Sequence, residues 1–373
     1  MRRGGAEIMS RAFHVYVVPA AVFISVVMGG GYGTGREVIE FFTRYGLLGG
    51  VFGIAVAACV FSLVLVCTYE FARVFKVYDY RSFFMQLIGR FWFLFEILYL
   101  MIFLLVVGVV SAAVGSMLEQ QFAVPAWLGM VGVLILVVAL VYFGRDAVEK
   151  VLTLWSLGMY LVFIAYFLQI IDHGDVSIVA AISQGEAASG WLTGGVLYAM
   201  YNVSAAPVLL FATRAIASRR EAIAAGLITG FAVMVPATLF HLSYAVGYPE
   251  VVQKDVPNYW MISEYGSPLL LGAFMIALLG TLVETGAGLV QGLLERIEAV
   301  LAPGEDESLS HPARLSIAVV ALGFGGLMGT LGIVSLIAKG YSALSVGFAL
   351  VYIIPICTLG LYQLYTAPGT EPK

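Results

Sequence analysis

Residues 27–42 read VMGGGYGTGREVIEFF, with five glycines in the seven positions from Gly29 to Gly35, inside an apolar run that spans 13–43. Each glycine costs about 1 kcal/mol of helix propensity relative to alanine, so a continuous helix is not expected there. Unpaired backbone in hydrocarbon is costly, and such a break persists only where it is buried in protein or lines a polar cavity. Gly29, Gly30, Gly31, Gly33 and Gly35, with Tyr32 and Thr34, are therefore the leading binding candidates. Free N–H groups opening the second half-helix suit a carboxylate, and free carbonyls closing the first suit a cation. Close helix packing through small residues is the alternative, although five glycines in seven exceed a small-xxx-small spacing.

The rest of the chain supplies the membrane that this reading needs. Of 373 residues, 61% are hydrophobic and 11% charged, against roughly 25% charged in a soluble domain. Apolar runs near 13–43, 47–71, 90–117, 126–143, 150–171, 191–216, 221–247, 267–299, 315–337 and 341–365 are each about long enough to cross a bilayer. With a cytoplasmic N-terminus, fifteen of the nineteen Lys and Arg residues fall on the inner side, which supports ten spans with both ends inside. The basic leader MRRGGAEIMSR runs on without a small-residue cleavage site and reads as retained. The net charge of -4 is scattered and sets nucleic acid aside. Cys59, Cys67 and Cys357 lie in apolar runs and offer no disulfide or metal spacing. No cofactor is indicated. The connections 172–190, 248–266 and 300–314 are too short for a soluble domain, so 1–373 reads as one transmembrane domain. Segment 248–266, YPEVVQKDVPNYWMISEYG, suits either an external loop folded over a vestibule or a plain solvated loop.

A shift of about 171 residues places the glycine-rich break on Tyr201 to Ser204 and aligns the second and third spans with the seventh and eighth. Five spans is odd, so a second copy inserts upside down, giving repeats at about 12–171 and 191–365. The sixth span, residues 191–211, reads WLTGGVLYAMYNVSAAPVLLF. Pro207 removes a backbone hydrogen bond and disfavours helix before it, so an interruption or a kink is expected near 202–207. Tyr198, Tyr201, Asn202 and Ser204 join the binding candidates there. A cationic group could sit against Tyr32, Tyr198 and Tyr201, although packing explains most of the rings in so aromatic a chain.

Charge at bilayer depth needs a reason. Residues 278–292, LLGTLVETGAGLVQG, place Thr281, Glu284 and Thr285 near the middle of the eighth span. This trio is the expected ion-coupling site: a sodium ion at Glu284 and Thr285, or a proton on Glu284. A structural hydrogen bond from Glu284 to a neighbouring helix or to Arg36 is the alternative. Arg36 and Glu37 are candidate gate residues, and Glu37, Glu40 and Arg44 share a face at spacings of three and four. Lone His241 reads as structural.

The stretch GGGYGTGREVIEFF, ten spans and the Glu284–Thr285 pair resemble the YkvI-like membrane proteins of bacteria. That family is similar to the amino acid–polyamine–organocation superfamily with the LeuT-type fold. The resemblance implies an all-α polytopic protein with a 5+5 inverted repeat, helices 1 and 6 discontinuous, and substrate between spans one, three, six and eight. It also implies a sodium between the first break and a Ser/Thr pair on span eight, where this chain has Glu284–Thr285. The usual external gate pairs the Arg after the first break with an acid on span ten. Residues 341–365 contain no acid, so Arg36 needs another partner, such as Glu37.

The expected activity is secondary transport, in a bacterial plasma membrane, of a small solute such as an amino acid, amine or zwitterion, coupled to sodium or protons. A receptor or sensor of the same fold is the alternative. Enzyme motifs such as HExxH, GxSxG or a P-loop are missing from the sequence. The expected partners are a small-molecule substrate and membrane lipid; oligomeric state is not legible.

Overall fold

The computed structural model describes residues 11–28, 30–142, 159, 161–171, 177–301 and 309–367, and all regular structure among them is helical. The first apolar run is broken into α1 (Val18–Val27), α2 (Gly30–Thr34) and α3 (Arg36–Phe41), followed by the long α4 (Leu47–Phe75). Next come α5 (Tyr80–Ile88), α6 (Phe93–Phe122), α7 (Ala126–Tyr142) and α8 (Leu161–Ile171). The second half holds α9 (Trp191–Asn202), α10 (Arg219–Ala232), α11 (Val235–Ser243), α12 (Pro257–Tyr265), α13 (Pro268–Leu301), α14 (His311–Gly329) and α15 (Ser342–Phe348).

Among the described residues, seven helices have the length and apolar composition to cross a membrane. Three shorter apolar helices, Phe13–Val27, Ala126–Tyr142 and Leu161–Ile171, lie in the first, fourth and fifth apolar runs. The expected count of ten crossings therefore does not follow from helix length. The first helix is cut short by its glycines, while α7 and α8 border 143–158 and 160, which lie outside the described residues.

Three boundaries differ from the hydropathy reading. Helix precedes the third run, because Asp79 caps α5 by accepting from the Ser82 N–H at 2.9 Å and the helix carries an apolar face into the core through Phe83 and Phe84. Within the ninth run, 315–337, helix stops at Gly329 and restarts at Ile333. The turn between them is itself apolar, with Gly332 at φ +82°, so hydropathy does not mark it. Segment 248–266 is an ordered cap made of a 3-10 turn, Glu250–Gln253, and α12.

Helices in lipid gain little from burying apolar surface against one another, so close approach through small residues holds them. A Cβ on Gly226 of α10 would stand 2.7 Å from the backbone nitrogen of Val66 on α4. A Cβ on Gly108 of α6 would stand 3.1 Å from the Gly325 carbonyl oxygen of α14. These contacts fix α4 on α10 and α6 on α14, and the broken first helix packs on α10 through α1 and on α6 through α2. It touches α9, α11, α12, α13 and the π-helical segment Leu336–Tyr341.

Candidate functional site

The glycine run breaks the helix where the propensity argument places it. Gly35 adopts φ +80°, a conformation open mainly to glycine, and so redirects the chain into α3. Breaking the helix frees backbone carbonyls, and buried carbonyls need donors. Asn258 of α12 supplies one, donating from Nδ2 to the Gly33 carbonyl at 3.1 Å. The Tyr244 hydroxyl is 2.6 Å from Asn258 Oδ1 and 3.4 Å from the Gly35 carbonyl oxygen. Tyr244 and Asn258 are both fully buried. A Cβ at position 35 would overlap the Tyr244 hydroxyl and the Asn258 amide. The break is thus the seat on which the cap 248–266 rests. Gly29 lies outside the described residues; Gly30 and Gly31 form the first turn of α2.

Arg36 extends the same attachment. Its Nη1 donates to the carbonyls of Val252 and Lys254, each at 3.0 Å, and its Nη2 to Glu40 Oε2 at 3.0 Å. Arg44 pairs with the other oxygen of Glu40. The charged ladder on this helix face therefore runs 36, 40, 44, and the acid that serves Arg36 is Glu40. Glu37 is turned away, because one residue along an α-helix rotates a side chain by about 100°.

Glu37 points to α9, where the Tyr201 hydroxyl donates to its Oε2 at 2.5 Å. Aromatic rings close around this bond: Tyr201 lies 4.5 Å from Tyr341, 5.6 Å from Phe41 and 5.6 Å from Tyr198 between ring centroids. Tyr32 meets Tyr198 edge-on at 6.5 Å. The hydroxyls of Tyr32 and Tyr198 are buried and interact with one another, with no other hydrogen-bond partner among the described residues.

The sixth run changes winding without opening. After Asn202 the α-helix passes into an eleven-residue 3-10 helix, Val203–Thr213, that contains Pro207. Such runs rarely exceed three or four residues, and a long one marks strain or a hinge. Asn202 Nδ2 donates to the Tyr198 carbonyl at 3.1 Å, and Ser204 Oγ to the Tyr201 carbonyl. These two side chains serve their own helix at the transition, so the sixth-run candidates that cross to the first helix are Tyr198, by ring contact with Tyr32 and Phe41, and Tyr201, by its hydrogen bond to Glu37.

On α13, Leu278 packs over the break, 2.8 Å from where a Cβ on Gly33 would stand. Thr281 and Thr285 continue that face at spacings of three and seven. Thr285 donates to the Thr281 carbonyl at 2.9 Å, whereas the Thr281 hydroxyl is buried and makes no hydrogen bond among the described residues. Glu284 is half-buried and sits about 100° around the helix from Thr285. His241 is structural: its Nε2 meets the Leu47 carbonyl and its Nδ1 the Thr43 hydroxyl, both at 2.8 Å. A carbonyl can only accept, so Nε2 carries a proton.

Asn258, Tyr244 and Tyr341 are site residues that sequence reasoning did not select, whereas spacing in the sequence places Glu40 on a shared helix face with Glu37 and Arg44. Glu40 had a visible signal, its i,i+4 spacing from Arg36. The other three lie more than two hundred residues from the break and had none.

No protein-family model matches the chain. The uncharacterized membrane protein YkvI of Bacillus subtilis is 23% identical over 326 residues, which cover 84% of this chain and 89% of that protein. Among solved structures, the manganese transporter of Eremococcus coleocola aligns over 93% of this chain and 79% of its own length, with a TM-score of 0.55 and 16% identity. A mutant of that transporter aligns over 92% of this chain and 78% of its own at the same TM-score and identity. The likeness to YkvI agrees with the resemblance carried by the glycine-rich motif, and the transporter structures show the expected LeuT-type fold.

Proposed function

We propose that this chain is a secondary active transporter of a small solute, working by alternating access about the first-helix break. The observation that carries the reading is the convergence on that break: Asn258 of the capping loop bonded to its carbonyl at Gly33 and Tyr244, just before that loop, to its carbonyl at Gly35, a change of helix type beside it after Asn202, and α13 packed across it at Leu278. A fold with two irregular helices side by side supplies a polar site at mid-membrane that can face either aqueous phase. The fold shared with a transporter supports the same reading. At 16% identity that likeness concerns the fold, and manganese is not carried over as substrate.

The substrate class is an amino acid, an amine or a related zwitterion. The N-terminal groups of the half-helix suit a carboxylate, and the rings of Tyr32, Tyr198 and Tyr201 suit an ammonium group. The coupling ion is sodium or a proton. Thr281, Glu284 and Thr285 form an oxygen-only donor set of the kind a hard cation takes. The orphaned Thr281 hydroxyl fits that role, and a sodium bound there would neutralise charge on Glu284. The setting is a bacterial plasma membrane, with ten crossings in two inverted repeats and both termini in the cytoplasm.

Two measurements on the purified protein test the reading. Melting temperature is followed across sodium, pH and a panel of zwitterions, amines and carboxylates, because a ligand that binds the folded state raises it. Uptake of the stabilising compound into proteoliposomes is then measured under sodium and proton gradients. Saturable gradient-driven uptake supports the transporter; binding without uptake moves the assignment to a receptor of the same fold.

A further inference from the structure

Five acids of the described helices are paired with arginine, and Glu37, buried on the first helix, is not. Glu40 pairs with Arg36 and Arg44, Glu70 with Arg73, Glu96 with Arg296, Glu221 with Arg11 and Glu298 with Arg314. Glu37 is 5% exposed, and the partner it has is the neutral Tyr201 hydroxyl. No cation pairs with it among the described residues. From α2 it faces Tyr32, from α9 Tyr198 and Tyr201, and from the Leu336–Tyr341 segment Tyr341, all neutral phenols. The charged and titratable groups nearby are committed elsewhere or exposed. Arg36 and Arg44 are bonded to Glu40, His241 to Thr43 and Leu47, and Tyr45 packs on Gly190. On α12, Tyr259 is bonded to Gln121, Tyr265 packs edge-on against Trp260 and Glu264 is exposed. Lys339 is exposed.

A carboxylate closed in by rings, with one neutral donor and no counter-charge, carries a desolvation cost that Glu40, Glu70, Glu96, Glu221 and Glu298 offset through arginine. Neutralising it removes that cost. The ligand small enough for a position packed this closely is a proton.

We propose that Glu37 is the carboxylic acid that carries a transported proton, protonated in this closed arrangement and releasing the proton when α3 and α9 separate. This rests on the transporter reading and adds a proton site to it, on the first helix and distinct from the trio on α13. In the closed arrangement the proton sits on Oε1, while Oε2 accepts from Tyr201. On opening, water reaches the acid, the O–H bond breaks, the proton passes to that water, and the carboxylate left behind is solvated. Tyr201 sits immediately before the transition at Asn202 into the 3-10 segment, so loss or gain of this bond acts on the second irregular helix directly.

Infrared difference spectroscopy on the full-length protein reads the proton without requiring transport. The wild type is expected to show, at neutral pH, a carboxylic-acid C=O stretch that is missing from Glu37→Gln, whose amide still accepts from Tyr201. Glu284→Gln is expected to keep it. Tyr201→Phe, which keeps the acid and removes the donor, is expected to move the band to higher frequency, and it serves if Glu37→Gln does not fold. A spectrum unchanged in both Glu37→Gln and Tyr201→Phe overturns the proposal. In proteoliposomes given the same compound panel, an inward proton gradient is expected to stimulate uptake by the wild type and not by Glu37→Gln; equal stimulation of both also overturns it. Absence of uptake in every condition counts against the transporter reading alone, since the infrared band is measured independently.

Discussion

Arg36 and Asn258 hold opposite ends of one attachment: Arg36 reaches out from the first helix to the carbonyls of Val252 and Lys254, and Asn258 reaches back from the cap to the carbonyl of Gly33. The cap and the break are therefore bonded in both directions. Whatever exposes the break to the cap side must release both sets of bonds, and that dependence yields the first predictions.

Arg36→Lys keeps the charge but cannot present a planar fork to two carbonyls and Glu40 together. Each lost bond is worth about 1 kcal/mol, equivalent to roughly fivefold in an opening equilibrium. Amide hydrogen exchange across 250–256 is expected to accelerate by about that factor while α4 is unchanged. Unaltered exchange there would show that Arg36 does not retain the cap.

Asn258→Ala leaves the Gly33 carbonyl and the Tyr244 hydroxyl without their buried partner, at a cost of about 1–3 kcal/mol. The variant is expected to melt below the wild type and to show faster thiol labelling of a cysteine placed at the neighbouring exposed Ser263. A wild-type melting temperature would mean that the carbonyl finds another donor.

Gly35→Ala combines a left-handed backbone, about 1–2 kcal/mol for a residue with a Cβ, with overlap on Tyr244 and Asn258. It should be the most damaging single-methyl change in the first helix, whereas the same change at Gly132, where a Cβ meets nothing within 4 Å, should be nearly silent. Thermal melts of the two variants side by side check this, and equal melting temperatures would refute it.

Thr281→Val removes a hydroxyl that makes no hydrogen bond among the described residues, so stability in sodium-free buffer should hold or rise slightly. If α13 carries a sodium, this variant and Glu284→Gln should both lose any sodium-dependent rise in melting temperature. Retention of a full sodium response in both would remove the trio from ion coupling.

Sequence alone determined the solvent and the place of the break. Apolar runs of bilayer length define a membrane chain because hydropathy sums over neighbours, and five glycines between Met28 and Arg36 unwind a helix because propensity is local. Pro207 marked the second irregular helix for the same reason. Tertiary structure decided what those irregularities are bonded to. The donor to Gly33 lies 225 residues away and the carbonyls that receive Arg36 lie 216 and 218 away, distances over which composition and periodicity carry no information. Glu37 and Glu40 are both glutamates on one short helix and look alike in sequence. One becomes an arginine's partner and the other a buried acid under Tyr201 because the helix turns their side chains toward different neighbours, and only the packed structure supplies those neighbours.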